Sequence, residues 1–214
     1  MSIPEILSSI ASGLTGTLEL VLISAPCGTA LGVLLGASAV YGGRILGGLA
    51  RTFTAILTGF PLLVTMLIVF FGLPELGIYL SPEASAILSF VLCSGAYISQ
   101  YVRGAIMSLD EGQSLAAKAL GMTRTQEVIH IVLPQALRRA LPGISNEIAY
   151  MVQYSSLAYA IGVQEMYGIS KSLNSIEFRP LEIFTALSFF YLALSASVSL
   201  LFRAIQRRVR IPEP

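Results

Sequence analysis

The chain has 214 residues, 55% of them hydrophobic and 12% charged, with a formal net charge of +1 and a mean hydropathy of +0.77. Soluble domains carry about 25% charged residues, so this composition excludes an ordinary soluble domain and points to an integral membrane protein. The net charge by itself says nothing about partners, and no nucleic acid is expected among them. Cys27 and Cys93 lie in apolar runs and read as small core residues rather than a disulfide framework. His130 is the single histidine and cannot form a metal site alone.

A helix needs about 20 apolar residues to cross a hydrocarbon core of about 30 Å, and five stretches qualify. Leu14–Val40 is rich in glycine and alanine, with Pro26 midway. Its Gly28, Gly32 and Gly36 recur at i, i+4, a spacing that lets helix backbones approach closely in lipid, without naming the partner helix. Phe53–Leu73 follows, with Gly59 and Pro61 in its first half. Ala84–Met107 is the third. Leu141–Val163 is the fourth and the most polar, with Asn146, Glu147, Gln153 and Tyr154. Ile183–Ile205 is the fifth, free of charge between Glu182 and Arg203. The first Lys or Arg is Arg44, so the basic region of a cleavable signal peptide is absent and the first span is expected to stay in the mature protein. The fold class expected is all-α integral membrane, one transmembrane domain over 1–214 with five transmembrane helices.

Charge sets the orientation expected. With the N-terminus outside, the cytoplasmic segments hold Arg44, Arg51, Arg103, Lys118, Arg124, Arg138, Arg139, Arg203, Arg207, Arg208 and Arg210. That leaves only Lys171 and Arg179 of the 13 basic residues outside. The Arg207–Arg210 tail then reads as an orientation anchor rather than a lipid-specific site.

The segment from Asp110 to Arg139 is the one long polar interruption, and this orientation puts it in the cytoplasm. Ser108-Leu109-Asp110-Glu111 has the form of a capping box and predicts a helix to about Leu120. Gly121 fits the left-handed position past a helix end. Thr123-Arg124-Thr125-Gln126 is a second capping box, opening a helix with an apolar stripe of Val128, Ile129, Ile131 and Val132 and His130 at its edge. Pro134 lacks an N–H and disfavours helix at Leu133. The segment therefore reads as helix, glycine turn, helix, proline break. Ala116, Ala117 and Ala119 keep the first helix slim enough for a cleft on another protein. An amphipathic loop on the membrane surface fits the same residues.

Glu111-Gly112-Gln113-Ser114-Leu115-Ala116-Ala117, Gly121 and Ile131-Val132-Leu133-Pro134-Gln135-Ala136-Leu137-Arg138 resemble the EAA loop of ABC-importer permeases, in particular the polar amino acid (histidine/glutamine/arginine-type) permease family. Gly59-Phe60-Pro61-Leu62-Leu63-Val64, Phe71-Gly72-Leu73-Pro74, Gly95-Ala96-Tyr97, Arg103-Gly104-Ala105-Ile106, Asn146-Glu147, Ser156-Leu157-Ala158 and Ile161-Gly162-Val163-Gln164-Glu165 extend the resemblance over roughly 17–194. It implies a five-helix, multi-pass permease of a prokaryotic cell membrane that works in pairs, as a homodimer or with a paralogue. It also implies a cytoplasmic ABC ATPase dimer and an extracytoplasmic solute-binding protein as partners. The coupling loop would span 108–140, with Glu111, Gly112, Gln113, Leu115, Ala116, Ala117, Gly121, Leu133 and Pro134 as its coupling residues. ATP and Mg²⁺ would be cofactors of the ATPase; no phosphate-binding Gly-x-x-x-x-Gly-Lys-Ser/Thr loop occurs in this chain.

Three departures from the family pattern bear on function. Leu115 stands where the loop usually begins with Glu. Thr58 stands where Arg often precedes the Gly-x-Pro motif, and Gln153-Tyr154-Ser155 where Lys-Asp-Thr often precedes Ser-Leu. With Gly59, Pro61 and Ser156, these positions form the expected substrate pathway: Thr58, Gly59, Pro61, Gln153, Tyr154, Ser155 and Ser156. Charges inside a membrane are costly and usually functional. Their loss is expected to give a pathway less suited to a strongly charged solute, or those charges serve packing in relatives. Glu147, near the cytoplasmic end of its span, is expected to pair with Arg103, Arg138 or Arg139, or else to lie in a water-filled vestibule. A Pro61 bend lines the pathway or is a packing kink. The function expected is the permease subunit of an ATP-driven importer for a small polar solute, an amino acid or close relative. The alternative is a stand-alone secondary carrier or channel, against which stands the lack of an internal repeat with paired broken helices. An intramembrane enzyme would need a His cluster, a Ser/Lys pair or paired Asp residues, and the spans contain none.

Overall fold

Two long helices, α2 (Leu14–Tyr41) and α5 (Pro82–Met107), pack along one another more extensively than any other pair. Their contact runs along the three glycines at i, i+4 in α2. A Cβ on Gly28 would sit 2.1 Å from Ser94 Oγ, on Gly32 2.5 Å from Ile98 Cγ2, and on Gly36 2.9 Å from the Ser99 carbonyl. α5 returns the relation at Gly95, which lies under Leu31. The partner helix that the sequence left open is therefore α5. In lipid the hydrophobic effect does not drive helices together, so this backbone proximity and its dispersion contacts hold the pair.

The computed structural model describes residues 1–209, and the regular elements among them are all helical. α1 (Ile3–Ser12) precedes α2, separated from it by Gly13 alone. α1 lies ahead of the first predicted span, 14–40, and its Ile6 and Ile10 are fully buried against Met166, Ile183 and Leu187. Two elements cover it, α9 (Met166–Glu177) and α10 (Pro180–Val209). The Met1 ammonium lies 2.6 Å from Glu177, and Arg179 donates to the Met1 carbonyl at 2.5 Å. Arg210, the last basic residue of the expected anchor, lies outside the described residues.

The second predicted span, 53–73, is not one straight helix. α3 covers Ile45–Gly59 and α4 covers Leu62–Leu67, the latter prolonged by a π turn and a 3-10 turn to Leu76. The axis bends by 105° between 45–59 and 62–76. The cause is local: Phe60 precedes Pro61 and takes extended backbone angles of −92° and 139°. The fourth predicted span also ends early. α8 runs Leu133–Tyr154 and gives way to a 3-10 turn over Ser155–Ile161, closed by Gly162 at φ 95°. α2 (with α1), α5 and α10 are long and apolar enough to cross a membrane, and the bent α3–α4 pair qualifies if taken as one span. α8 is too polar to qualify alone; its Ala136, Ala140, Ile144, Ile148 and Met151 are buried among the other helices instead.

The seam carries a prediction. Gly32→Val should lower the midpoint of thermal helix loss in detergent, since overpacking costs about 1–3 kcal/mol. Gly48→Ala in α3, where a Cβ meets nothing within 4 Å, should leave the midpoint unchanged or raise it, by up to about 1 kcal/mol. Equal midpoints for Gly32→Val and wild type would refute the seam.

Candidate functional site

α5 ends at Met107 and the chain enters the polar segment. Ser108 closes α5, its hydroxyl donating to the Ala105 carbonyl at 2.8 Å, so the first expected capping box does not form there. Asp110 caps α6 (Glu111–Ala119) instead, its Oδ1 accepting from the Gly112 N–H at 2.6 Å. Asp is as good an N-cap as Ser and stands one residue before the helix.

α6 ends in a Schellman turn. The Met122 N–H donates to the Ala117 carbonyl at 3.1 Å and the Gly121 N–H to the Lys118 carbonyl at 2.9 Å, with Gly121 at φ 73°. The second capping box forms as expected, with Thr123 and Gln126 each holding the other's backbone N–H at the start of α7 (Arg124–Glu127). The expected proline break does not form. The chain runs from α7 through a π turn, Val128–Val132, into α8, and Pro134 sits in the first turn of α8. Proline is tolerated in a first turn, and the wider i→i+5 turn just before it carries the helix past the residue that lacks an N–H.

Of the expected coupling residues, Ala117 is buried at 3%, while Glu111, Gly112, Gln113, Leu115, Ala116 and Gly121 are exposed. Leu115 and Leu120 project two large apolar side chains, 64% and 82% exposed. Leu133 and Pro134 lie at the base, in the first turn of α8. Gln113 reaches that base, accepting from Gln135 Nε2 at 3.3 Å.

What sequence reasoning missed is the brace beneath α6. Glu127, only 1% exposed, accepts from the Ser114 hydroxyl at 2.5 Å and from Arg124 Nη1 at 2.6 Å. The same guanidinium lies 4.6 Å from the centre of the Tyr41 ring, at the end of α2. Arg139 donates to the Ser108 carbonyl at 2.6 Å. Helix α6 is thereby fastened through Glu127 and Arg124 to Tyr41 of α2 and through Gln113 to Gln135 of α8, while Arg139 ties α8 to the end of α5. No motif marks Glu127, which reads in sequence as one more charge on a solvated helix.

The expected pathway residues separate. Pro61, Gln153 and Tyr154 line one cavity of about 440 Å³, together with Glu147, Tyr97, Tyr101 and Tyr150. Gln153 and Ser156 line a second, of about 490 Å³, against Tyr191 and Ser195 of α10. Thr58 bonds back to the Thr54 carbonyl at 2.8 Å, and its own carbonyl lies 3.5 Å from the Tyr97 hydroxyl. Gly59 is the exposed end of α3, and Ser155 is buried, donating to the Val152 carbonyl at 2.8 Å. Among the described residues, no arginine pairs with Glu147. It is 5% exposed and accepts from the Tyr154 hydroxyl at 2.9 Å, turned into the first cavity and away from the basic end of α8.

A second buried carboxylate, Glu165, accepts from the Gly168 N–H at 2.8 Å, Thr17 Oγ1 at 3.3 Å and the Tyr191 hydroxyl at 2.6 Å. It caps α9 and pins it to α2 and α10, which is a structural role.

The brace gives a pH prediction. The Ser114 hydroxyl first, then the Arg124 guanidinium, stabilise the charged form of Glu127 and hold its carboxyl below the usual carboxylate range. A lowered folded value means the stabilisation is complete above the unfolded carboxylate value and is lost as pH falls through the folded one. Amide exchange protection in α6, corrected for intrinsic rates, should therefore fall on acidification in wild type. In Glu127→Gln it should be low at all pH values; a wild-type-like profile in that variant would discard the brace.

Residues 28–211 match the family described as "Binding-protein-dependent transport system inner membrane component". The glutamine transport system permease protein GlnP of Escherichia coli is 31% identical over 204 residues, covering 94% of this chain and 93% of its own length. The L-cystine transport system permease protein TcyL of Bacillus subtilis is 31% identical over 215 residues, covering 97% and 90%. In fold, the chain is similar to a subunit in a crystal structure of an amino acid ABC transporter with histidines, with a TM-score of 0.86 at 24% identity, covering 97% of this chain and 99% of that one. A 31% identity across nearly the whole of both chains, with a family match over most of this one, shows that the chain belongs to the binding-protein-dependent transport system inner membrane components, as the permease subunit of an ABC importer.

Proposed function

We propose that this chain is the membrane-spanning half of an importer for an amino acid or a close relative of one, in a prokaryotic cell membrane. The observation that carries the coupling role is α6: a short, capped helix with an exposed face of small residues and two leucines, braced from beneath by Glu127. A helix held this rigidly and left uncovered can seat in a groove of a cytoplasmic ATPase. The loop over 108–140 is the coupling element, and ATP with Mg²⁺ belongs to that ATPase. An extracytoplasmic solute-binding protein and a second permease copy complete the assembly. That the relatives are named as glutamine and cystine permeases supports an amino acid as solute.

Five segments cross the bilayer in this reading, with the bent α3–α4 pair as the second and α8 with its 3-10 turn as the fourth. Two contacts support an N-outside orientation. Arg124 on Tyr41 and Arg139 on Ser108 gather basic residues at the end of the bundle that carries α6. The cavity lined by Pro61, Gln153 and Tyr154 is the solute pathway. A stand-alone carrier is disfavoured by the permease-subunit relatives.

Gly121→Val tests the coupling role. A β-branched residue at φ 73° is strained by about 1–2 kcal/mol and should unravel the turn that ends α6. In co-expression with the neighbouring genes, the wild-type chain should retain an ATPase through purification, and Gly121→Val should lose most of it while keeping its helical content. Solute uptake into liposomes by the chain alone, without ATP, would favour the secondary carrier.

A further inference from the structure

The corner between α9 and α10 is built the wrong way round for a turn in water. Its charged side chains fold back onto the protein. Glu177 meets the Met1 ammonium at 2.6 Å, and Arg179 donates to the Met1 carbonyl at 2.5 Å and pairs with Glu182. Its large apolar side chains project outward instead, with Ile176 74%, Phe178 82% and Leu181 80% exposed. Phe178 closes α9, its N–H on the Asn174 carbonyl at 3.1 Å, and sits at φ 52°. Glycine or asparagine usually fills that left-handed position, because a larger side chain is strained there. Phe178 is the only non-glycine residue with positive φ among the described residues. The chain thus keeps an aromatic ring at a place where the backbone favours no side chain, and strain retained in this way points to a use for that ring.

The depth of the corner identifies what covers it. α10 runs for about 20 residues without charge between Glu182 and Arg203, about 30 Å of helix, which matches the hydrocarbon core of a bilayer. Phe202 packs on the cluster that holds Ile106 and Val132, near α6, whereas Ile183 packs with Ile6 and Met166 at the other end of the bundle. The corner therefore lies at the boundary between hydrocarbon and headgroups, at the end opposite α6. Leu181 also continues the exposed apolar face that α10 presents at Phe189 and Leu192. We propose that Ile176, Phe178 and Leu181 form an anchor inserted among the phospholipids at that boundary, where aromatic and branched apolar side chains partition. Glu165 already pins the start of α9 to α2 and α10, so the anchor fixes its other end. The proposal rests on α10 being a membrane span, and it holds for either orientation of the chain.

The chain has no tryptophan, so Phe178→Trp turns position 178 into its single indole emitter. The test is fluorescence of the full chain carrying that substitution, in vesicles of phosphatidylcholine and phosphatidylglycerol, with helical content checked by circular dichroism. Its emission should lie well to the blue of N-acetyltryptophanamide in water. Lipids brominated near the headgroup end of their chains should about halve the emission, since an interfacial ring sits within about 5–10 Å of the acyl boundary. Acrylamide should quench it severalfold less than it quenches N-acetyltryptophanamide. Adding Ile176→Ser and Leu181→Ser to the same chain should shift the emission to the red and cut quenching by brominated lipid severalfold, because the three side chains insert together. Phe189→Trp, within the span, should be quenched best by lipids brominated deeper in the chain. If it is not, the span reading of α10 falls and takes the anchor with it; if it is, position 178 is judged on its own. Phe178→Trp emission as open to acrylamide as the free indole, and untouched by brominated lipid, overturns the anchor. Protection from acrylamide without quenching by brominated lipid also overturns it, and gives the corner to a protein partner instead.

Discussion

The close approach of α2 and α5 is the constraint on which the remaining packing depends. Where Gly32 meets Ile98, and Gly36 meets Ser99 and Val102, a single methyl would push the helices apart. Because the two backbones are this near, α5 becomes a buried central post, with Phe90, Ala96, Ile98 and Val102 fully covered. α3 and α8 can then both reach it. Some hydroxyls on this post are satisfied within the bundle, as when Ser99 donates to the Ala96 carbonyl at 2.7 Å and also meets Thr54 at 3.0 Å, while those of Ser85 and Ser94 find no partner among the described residues. A membrane interior offers no water for such groups, so each bond made within the bundle removes a desolvation cost of about 1–3 kcal/mol.

One helical run joins the polar segment to the cavity. From Arg124 to Tyr154 the chain is helical throughout, first α, then π, then α. Its lower end carries Glu127 beneath α6, and its upper end carries Glu147, Gln153 and Tyr154 at the cavity wall. The π turn at Val128–Val132 is the point where this run departs from regular geometry, and it lies between the two sites. A load applied to α6 would reach the cavity along one element, without crossing a loop. In the importer reading this is a mechanical route from ATPase to solute. It requires the lower end to be braced, which the Ser114–Glu127–Arg124 contacts do.

The helical class, the first and third spans, the glycine turn and the Thr123 capping box were legible because each rests on a local rule with a strong sequence signature. Gly121 needs φ above zero, and the sequence says so directly. The failures have a different physical origin. α1 was missed because a ten-residue helix is stabilised by what covers it, Met166 and Ile183, which lie far along the chain. Pro134 reads as a break because the rule for interior proline is strong, but the π turn before it, invisible in composition, leaves that proline in a first turn. Ser108 lost its capping role to Asp110, a competitor two residues away that obeys the same rule.

Glu147 is the most instructive case. Arg103, Arg138 and Arg139 make an ion pair one expectation and a water-filled vestibule the other, and helix periodicity decides against the pair with the arginines of α8. Arg139 lies eight residues before Glu147, more than two turns down α8, and its guanidinium is spent on the Ser108 carbonyl. Tyr154, seven residues after Glu147 and on the same face, reaches it instead. A residue spacing of seven is a heptad neighbour on any helix, so this contact could have been read from the sequence once the helix was known to continue past Gln153. What periodicity could not supply is the cavity itself. Its walls come from the Phe60–Leu62 bend, α5 and α8, and the tyrosines on α5 at 97 and 101 face those on α8 at 150 and 154 because the glycine seam fixes α5 in place and the Pro61 bend leaves the space between them open.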